Sequence, residues 1–173
     1  MTVQNIQLGH AHHHPGRSLV SMCYLAHDLD APMNVGSIFR VADALGVEKI
    51  YLTGRSAVPP DSKLRKASRA TEKHVPFGHA ADPLPILQEL KAGGYRIISL
   101  ERTSASIDVR ELQTCASDRI CLVLGSENAG VSRFLLDLSE QAVHIPMLGQ
   151  NSSMNVAVAC AIATFALSGG RPR

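Results

Sequence analysis

The sequence predicts an α/β domain with a mostly parallel sheet, and two observations carry this prediction. Short apolar runs, of the kind that form buried strands, alternate along the chain with segments of helical periodicity. The runs are continuous or rich in β-branched residues, as expected when helices cover both faces of a sheet. Strands that alternate with helices imply right-handed crossovers between parallel strands.

Each element is predicted from its own local pattern. The predicted strands are 19–25, 49–53, 95–100, 120–124 and 142–145. The predicted helices are 35–45, about 61–72, 85–92, 132–137 and 153–167. Ligands of such sheets bind beyond the carboxyl ends of the strands. A binding site is therefore predicted in the segments that follow residues 25, 100, 124 and 145.

Composition sets limits on the class of protein. The 173 residues, 45% hydrophobic and 18% charged, are typical of one globular domain, and a net charge of +2 is too small to identify a partner. We divide the chain into a flexible N-terminal arm, 1–17, and a single domain, 18–173. Tryptophan is absent and aromatic residues are scarce, which argues against a base-stacking platform of aromatic side chains.

The cysteines and the N-terminal arm predict a cytoplasmic protein without a metal site. The four cysteines show no CxxC spacing, and the arm has no apolar core that could serve as a signal peptide. The adjacent His12, His13 and His14 are more typical of an adventitious metal binder or a tag-like segment, because no second cluster completes a coordination shell.

A predicted helix carries an isolated arginine. The segment NVGSIFRVADALG, 34–46, places an apolar stripe on one face and ends at Gly46, a typical stop signal. Arg40 lies off the stripe, among small residues that would leave room for a bulky ligand. The alternative is a structural arginine that pairs with an acid such as Asp43. The stripe consists of Val35, Ile38, Phe39, Ala42 and Leu45.

The loop after residue 124, GSENAGVS, nearly matches a phosphate-binding loop. Val131 stands where that motif requires lysine, and Glu127 adds negative charge where a phosphate would lie. The segment is not GxGxxG either, so a nucleoside triphosphate site is not expected. A strand-to-helix turn with Ser132 as N-cap would explain Gly130 and Ser132, but it leaves Glu127 unexplained.

A polar loop, 146–155, precedes a final helix that is apolar all round. A helix without a polar face is expected to be buried on every side, and this one is too short to span a membrane. Polar side chains beside it then need partners or a ligand. Alternatively, Ser153 and Asn155 act only as N-capping residues.

A basic run, LRKASRATEKHVP, follows the second predicted strand. On one helix its four cations would share about a third of the circumference, with Glu72 as the nearby acid. Such a run is either a solvated face or a surface for a phosphate backbone. The candidate RNA-binding residues are Arg65, Lys66, Arg69 and Lys73.

Three segments together resemble the sequence motifs of one family. NVGSIFRVADALGV, LVLGSENAGVS and IPMLGQNSSMNVAVACAIA are similar, in this order, to the three motifs of the TrmH (SpoU) branch of the SPOUT superfamily, which are RNA 2′-O-ribose methyltransferases. The resemblance extends from about residue 19 to 167. It implies a Rossmann-like sheet with a C-terminal deep trefoil knot, and an obligate homodimer, which would suit a last helix with no face left for water.

The resemblance also implies a cofactor and a set of site residues. S-adenosylmethionine would be held mainly by backbone groups of the loops, and a ribose 2′-oxygen would attack its methyl group. The implied cofactor-binding residues are Leu100, Gly125, Ile145, Met147, Ser153 and Met154. The implied catalytic residues are Arg40, Asn34, Glu127, Ser153 and Asn155.

Two further expectations concern Arg40 and the RNA. The family's arginine is often described as the base, but a free guanidinium has a pKa above about 12, so we expect Arg40 to clamp a phosphate and leave the proton acceptor open. We favour tRNA over rRNA, because only about eighteen residues precede the first predicted strand and rRNA-directed relatives often carry an extra N-terminal domain. Two alternatives are a catalytically silent RNA-binding member and a nicotinamide- or ATP-dependent enzyme on an ordinary doubly wound fold.

Overall fold

A seven-stranded parallel sheet organises the chain. The computed structural model describes residues 6–7, 16 and 20–168. The strands are β1 (Ser21–His27), β2 (Lys49–Thr53), β3 (Phe77–Ala80), β4 (Tyr95–Leu100), β5 (Ile107–Asp108), β6 (Arg119–Leu124) and β7 (Gln141–His144). They lie in the order β3-β2-β1-β6-β4-β7-β5, and the paired strands run parallel. The predicted α/β class and parallel sheet are confirmed.

Helices cover both faces of this sheet. They are α1 (Pro32–Leu45), α2 (Ser62–Ser68), α3 (Leu84–Ala92), α4 (Arg133–Leu138) and α5 (Val156–Leu167), with a short 3-10 helix at Thr71–Lys73. The core on one face includes residues of α1, α2 and α5, and the core on the other includes residues of α3 and α4. Burial on both faces explains why the central strands read as continuous apolar runs.

The helix boundaries follow from capping chemistry. Proline suits the first turn of a helix because its missing N–H has no partner there, and α1 begins at Pro32. Gly46 ends α1 in the left-handed conformation, φ +69°, as predicted. Ser132 is the N-cap of α4 and accepts a hydrogen bond from the Leu135 N–H, as the sequence predicted.

The five predicted strands are present, 49–53 and 95–100 with the predicted boundaries and the other three shifted by one or two residues, but β3 and β5 were not predicted. β3, FGHA, has no fully buried residue and lies at the sheet edge, so it lacks the apolar run that marks the central strands. β5 is only two residues long. Edge strands this short give no usable periodicity.

The predicted helix over 61–72 is wrong in its second half. Asp61 is the N-cap of α2, but the helix ends at Ser68 because Arg69 and Ala70 adopt left-handed backbone conformations, φ 55° and 71°. The chain turns there and continues through the 3-10 helix to the edge strand β3. Arg69 and Lys73 therefore do not continue one helical face.

The predicted start of the last helix is also wrong, and one chain alone does not bury this helix on every side. The helix begins at Val156, because Asn155 has non-helical dihedrals and caps it by accepting from the Ala157 and Val158 N–H groups at 3.0 and 3.3 Å. One side of α5 is buried against the core, but Val158, Ile162 and Phe165 remain 51%, 41% and 56% exposed. A single chain leaves this second apolar face open.

The small residues near Arg40 do not all serve ligand access. Gly36 is buried, and a Cβ at that position would lie 2.4 Å from the Leu64 carbonyl oxygen and 2.8 Å from the Ala67 Cβ. Glycine is therefore required at this position for the close packing of α1 on α2. The interpretation that it leaves room for a ligand is wrong at Gly36.

Some sequence predictions fall outside the described residues. These include His12, His13 and His14 and most of the predicted arm, 1–17. Within the part of the chain that the structure describes, no helix is long and apolar enough to cross a membrane.

Candidate active site

A cleft of about 800 Å³ lies at the carboxyl ends of β4, β6 and β7, in three of the four segments that the sequence predicted. The segment directly after β1 does not line it. Its walls come from the residues after β4, the loop after β6, and the polar loop between β7 and α5. All six residues implied as cofactor-binding line this cleft. They are Leu100, Gly125, Ile145, Met147, Ser153 and Met154.

The loop after β6 is closed on itself. Ser126 and Gly130 exchange two backbone hydrogen bonds, at 3.1 and 2.9 Å, and the Ser126 hydroxyl accepts from the Ala129 N–H. Gly125 is buried beneath this turn, where a Cβ would lie 2.1 Å from the Gly130 carbonyl carbon and 2.2 Å from the Val131 nitrogen. The shape of the cleft wall thus requires glycine at position 125.

A chain of side-chain hydrogen bonds joins three of the implied catalytic residues. Asn34 donates through Nδ2 to Oε1 of Glu127 at 2.6 Å, and its Oδ1 accepts from Nδ2 of Asn155 at 2.9 Å. All three residues line the cleft, as does Ser153. Asn155 is therefore more than the N-cap considered from the sequence, because one amide both caps α5 and holds Asn34.

Arg40 lies apart from these residues. It is exposed, does not line the cleft, and forms no ion pair with any residue in the described ranges, so a structural arginine paired with Asp43 is wrong. It lines a separate depression of about 750 Å³ between α1 and α2. That depression is lined by Met33, Ser37, Arg40, Ser62, Arg65, Lys66, Ala67 and Arg69.

Four cations share that depression, which we call the basic depression, and none of its described lining residues is acidic. The sequence placed three of these cations together but did not place Arg40 with them. Lys73, predicted as the fourth member, is not in the lining because α2 ends before it. Glu72 is near the end of α2, where the Ser68 hydroxyl donates to its carboxylate and lowers its pKa.

Among the polar residues of the cleft that the sequence did not predict, three stand at the ends of strands. Glu101 and Arg102 directly follow β4, and His144 is the last residue of β7. The Nδ1 of His144 lies 3.0 Å from the Ser106 hydroxyl. The signal for all three was position alone, since each stands at the carboxyl end of a strand. None belongs to a motif of its own.

A pair of buried polar groups joins α5 to the sheet. The Tyr24 hydroxyl on β1 lies 2.6 Å from the Thr164 hydroxyl on α5, and burial raises the pKa of Tyr24. Burial also raises the pKa of the neighbouring Cys160 thiol to about 12. These groups therefore stay uncharged at neutral pH, and the Tyr24–Thr164 hydrogen bond ties α5 to the sheet. Across the described ranges, no cluster of three His, Cys, Asp or Glu side chains could hold a metal ion.

An apolar groove of about 700 Å³ runs between α1 and α5. It includes the exposed Ile162 and Phe165 of α5 and Leu148, which is 99% exposed. Contiguous exposed apolar surface of this kind marks an interaction site.

Comparison with known proteins agrees with this geometry. The model of the SpoU rRNA Methylase family matches residues 22–165, which include the whole cleft. A TrmH family tRNA/rRNA methyltransferase of Staphylococcus epidermidis is 35% identical over 137 residues, and one of Staphylococcus aureus is 32% identical over 146. These alignments cover 79% and 84% of this chain but only 54% and 58% of the relatives. The chain thus spans little more than half the length of these curated relatives.

Solved structures share the fold. The SpoU methyltransferase AviRb from Streptomyces viridochromogenes, in complex with the cofactor AdoMet, superposes with a TM-score of 0.78 at 26% identity, over 91% of this chain and 60% of that one. The TrmH/SpoU tRNA modifying enzyme of A. aeolicus gives a TM-score of 0.77 at 26% identity, over 90% and 77%. The matched residues contain the sheet, the cleft and all three sequence motifs, and so the chain belongs to the SpoU rRNA methylase family.

Proposed function

We propose that this chain is an S-adenosylmethionine-dependent RNA methyltransferase that methylates a ribose 2′-hydroxyl. The observation that carries the proposal is that the implied site residues lie close together in the fold. Six residues implied as cofactor-binding and four of the five implied as catalytic lie around one cleft, although they come from segments far apart in the chain.

The cleft suits S-adenosylmethionine. Its volume of about 800 Å³ is within the range of small-molecule sites, and its walls combine loop backbone with apolar and small polar side chains. The glycines at 125 and 130 set the shape of one wall, because an added Cβ would meet the backbone of residues 130 and 131 or the carboxylate of Glu101. The family neighbour AviRb has been solved with this cofactor.

The chain's own residues position the reaction. When bound, S-adenosylmethionine supplies an activated methyl group, so the protein must align the ribose oxygen and favour loss of its proton. Asn34 and Asn155 are fixed by the hydrogen bond between their amides, and the Ser153 hydroxyl belongs to the same cleft. These three polar side chains are suited to orient the ribose.

Arg40 acts in this proposal as a phosphate clamp. Arg40 is exposed and lines the basic depression. This position suits binding of a phosphate group better than it suits abstraction of a proton. Asn34 and Arg40 are six residues apart on α1, about 9 Å along the helix axis. Either the RNA spans both sites on one copy, or the Arg40 that serves a cleft comes from a second copy of the chain.

A homodimer is part of the proposal. The exposed apolar face of α5 and the groove against α1 would be covered by a second copy, with Ile162 and Phe165 near its centre. Sedimentation at micromolar concentration should show a stable dimer, and a stable, active monomer would overturn this part.

The C-terminal trefoil knot is also proposed. It is supported by the sheet order, in which β7 lies between β4 and β5. β5 belongs to the segment of chain that joins β4 to β6, so the later strand β7 lies inside the loop that this segment forms. The chain that leaves β7 then runs back to α5, which contacts α1 on the face of the sheet away from α3 and α4.

We propose tRNA as the favoured substrate and the cytoplasm as the location. The neighbour from A. aeolicus is a tRNA modifying enzyme, and it is matched over 77% of its length. The basic depression supplies the surface for the RNA backbone.

Two measurements test the proposed function. Calorimetry with S-adenosylmethionine, NAD and ATP should show binding of the first alone. Incubation with labelled S-adenosylmethionine and separate pools of total tRNA and rRNA should then label tRNA more strongly. Binding of NAD or ATP instead would contradict the assignment, and cofactor binding without transfer to either pool would favour a silent RNA-binding protein.

A further inference from the structure

Glu101 connects the loops on both sides of β4. Its backbone N–H donates to the Val143 carbonyl of β7 at 2.9 Å, and its side-chain Oε2 accepts from the Val131 N–H at 2.8 Å. Since β4 lies between β6 and β7, one residue ties the end of the β6 loop to the strand that leads into the polar loop.

The carboxylate is packed directly against the glycine turn. A Cβ at Gly130 would lie 2.2 Å from Oε2 of Glu101, and Gly130 has φ +66°. Gly125 packs against the other side of the same backbone, where an added Cβ would lie 2.1 Å from the Gly130 carbonyl carbon. The turn is therefore held between the floor of the cleft at Gly125 and the carboxylate of Glu101.

Both carboxylate oxygens are engaged by backbone donors. Oε2 accepts from Val131, and Oε1 accepts from the Arg102 N–H at 2.9 Å. Two backbone N–H groups thus hold the carboxylate in one orientation.

We propose that Glu101 is a positioning residue: it acts as a hydrogen-bond acceptor that holds the 125–131 loop in the shape that binds the cofactor, and not as a counter-ion to the cofactor's sulfonium group. The identity of the ligand rests on the proposed function. The role of Glu101 in holding the loop rests on the contacts alone.

Glu101→Ala and Glu101→Gln separate these two roles when binding of S-adenosylmethionine and of neutral S-adenosylhomocysteine is measured by calorimetry. Loss of a charged acceptor in the alanine variant should weaken both ligands by about tenfold or more. Glutamine keeps one carbonyl oxygen for the Val131 N–H but loses the acceptor for the Arg102 N–H, so it should restore part of the affinity for both ligands. Glu111→Ala, an exposed carboxylate in the segment between β4 and β6, is the matched control and should bind as the parent does.

Two results would overturn the proposal. One is parental affinity for both ligands in Glu101→Ala. The other is a glutamine variant that binds S-adenosylhomocysteine normally but S-adenosylmethionine weakly, because that pattern requires the charge itself.

Hydrogen exchange without ligand keeps this test independent of the proposed function. Peptides covering residues 125–131 should exchange faster in Glu101→Ala than in the parent, and at an intermediate rate in Glu101→Gln. Unchanged exchange in the alanine variant would contradict the proposed role of Glu101. Failure of the parent protein to bind S-adenosylmethionine would contradict only the proposed function.

Discussion

The side-chain amide of Asn34 donates a 2.6 Å hydrogen bond to the carboxylate of Glu127, which joins the first turn of α1 to the loop after β6. The same amide accepts from Asn155 at the start of α5. One residue therefore connects three segments of the chain that are far apart in sequence. It is suited to this role because an amide can donate on one side and accept on the other.

Asn34→Asp should break this connection. The new carboxylate cannot donate to Glu127 and repels it, while it can still accept from Asn155. We expect a loss of methyl transfer of tenfold or more, with a small change in melting temperature because both side chains lie outside the core. Single-turnover transfer and thermal melts on the same preparation measure the two effects.

A second substitution provides the control for Asn34→Asp. Because the same hydrogen bond joins two walls of the cleft, Asn34→Asp should also weaken cofactor binding. Glu127→Gln in the same chain supplies a donor opposite the introduced carboxylate, so the double variant should recover part of that affinity. If the double variant binds the cofactor no better than Asn34→Asp, the hydrogen bond does not shape the cleft.

Gly125→Val should abolish S-adenosylmethionine binding. The cause is the packing of the loop rather than side-chain atoms that would fill the cofactor's space. A Cβ would collide with the backbone of Gly130 and Val131, so the loop itself must move. Overpacking should also lower the free energy of unfolding by about 1–3 kcal/mol.

Gly149 offers the matched control for this prediction. It lies in the polar loop, and no atom of the described residues comes within 4 Å of an added Cβ. Gly149→Ala should bind as the parent does, and even Gly125→Ala should not. Equal calorimetric affinity of Gly125→Ala and Gly149→Ala would show that the turn tolerates displacement.

The basic depression should set RNA affinity without affecting cofactor binding. Replacing Arg65, Lys66 and Arg69 by alanine removes three phosphate contacts, which should reduce the slope of log K against log salt by about 2 for a single strand. Filter binding across a salt series measures it. Lys91→Ala, on the opposite face of the sheet in α3, should leave the slope unchanged. A parental slope in the triple variant would mean that the cations form only a solvated surface.

Arg40→Ala and Arg40→Lys should both fold and bind S-adenosylmethionine as the parent does. The side chain is exposed and forms no ion pair within the described ranges, so stability should change by less than about 0.5 kcal/mol. Both variants should nevertheless lose most methyl transfer. Lysine keeps the charge but lacks the planar fork that can hold a phosphate bidentately.

Single-turnover rates decide the role of Arg40. Near-parental transfer by Arg40→Lys would show that only a positive charge is needed. Mixing Arg40→Ala with Asn34→Asp protein adds information about assembly. Activity recovered in the mixture would place Arg40 and the cleft that it serves in different copies.

The sequence predicted the central sheet because each buried strand carries its own apolar run. It also predicted that the residues implied as cofactor-binding would lie around one site, because they belong to segments that follow strands. Their part in cofactor binding stays a prediction. It could not predict the end of α2, because Arg69 and Ala70 are ordinary helix formers. Their left-handed conformations arise from the turn toward β3, which is a tertiary requirement.

Glu101 and Gly36 show a second limit. The acceptor role of Glu101 depends on Val131, thirty residues away, and no local pattern reports such a contact. From the sequence, the small residue Gly36 was interpreted as leaving room for a ligand. In the structure it packs against the backbone of α2. Periodicity identifies which face of an element is buried, but it does not identify what packs against that face.

The position of the transferred methyl group tests the central claim most directly. Alkaline cleavage of RNA requires a free 2′-hydroxyl beside the phosphodiester, so ribose methylation leaves an alkali-resistant linkage. After transfer of labelled methyl groups to total tRNA and complete alkaline hydrolysis, we predict that the label appears in resistant dinucleotides. Label recovered in mononucleotides would mean that the enzyme methylates a base, and it would contradict the assignment of this cleft to ribose 2′-O-methyl transfer.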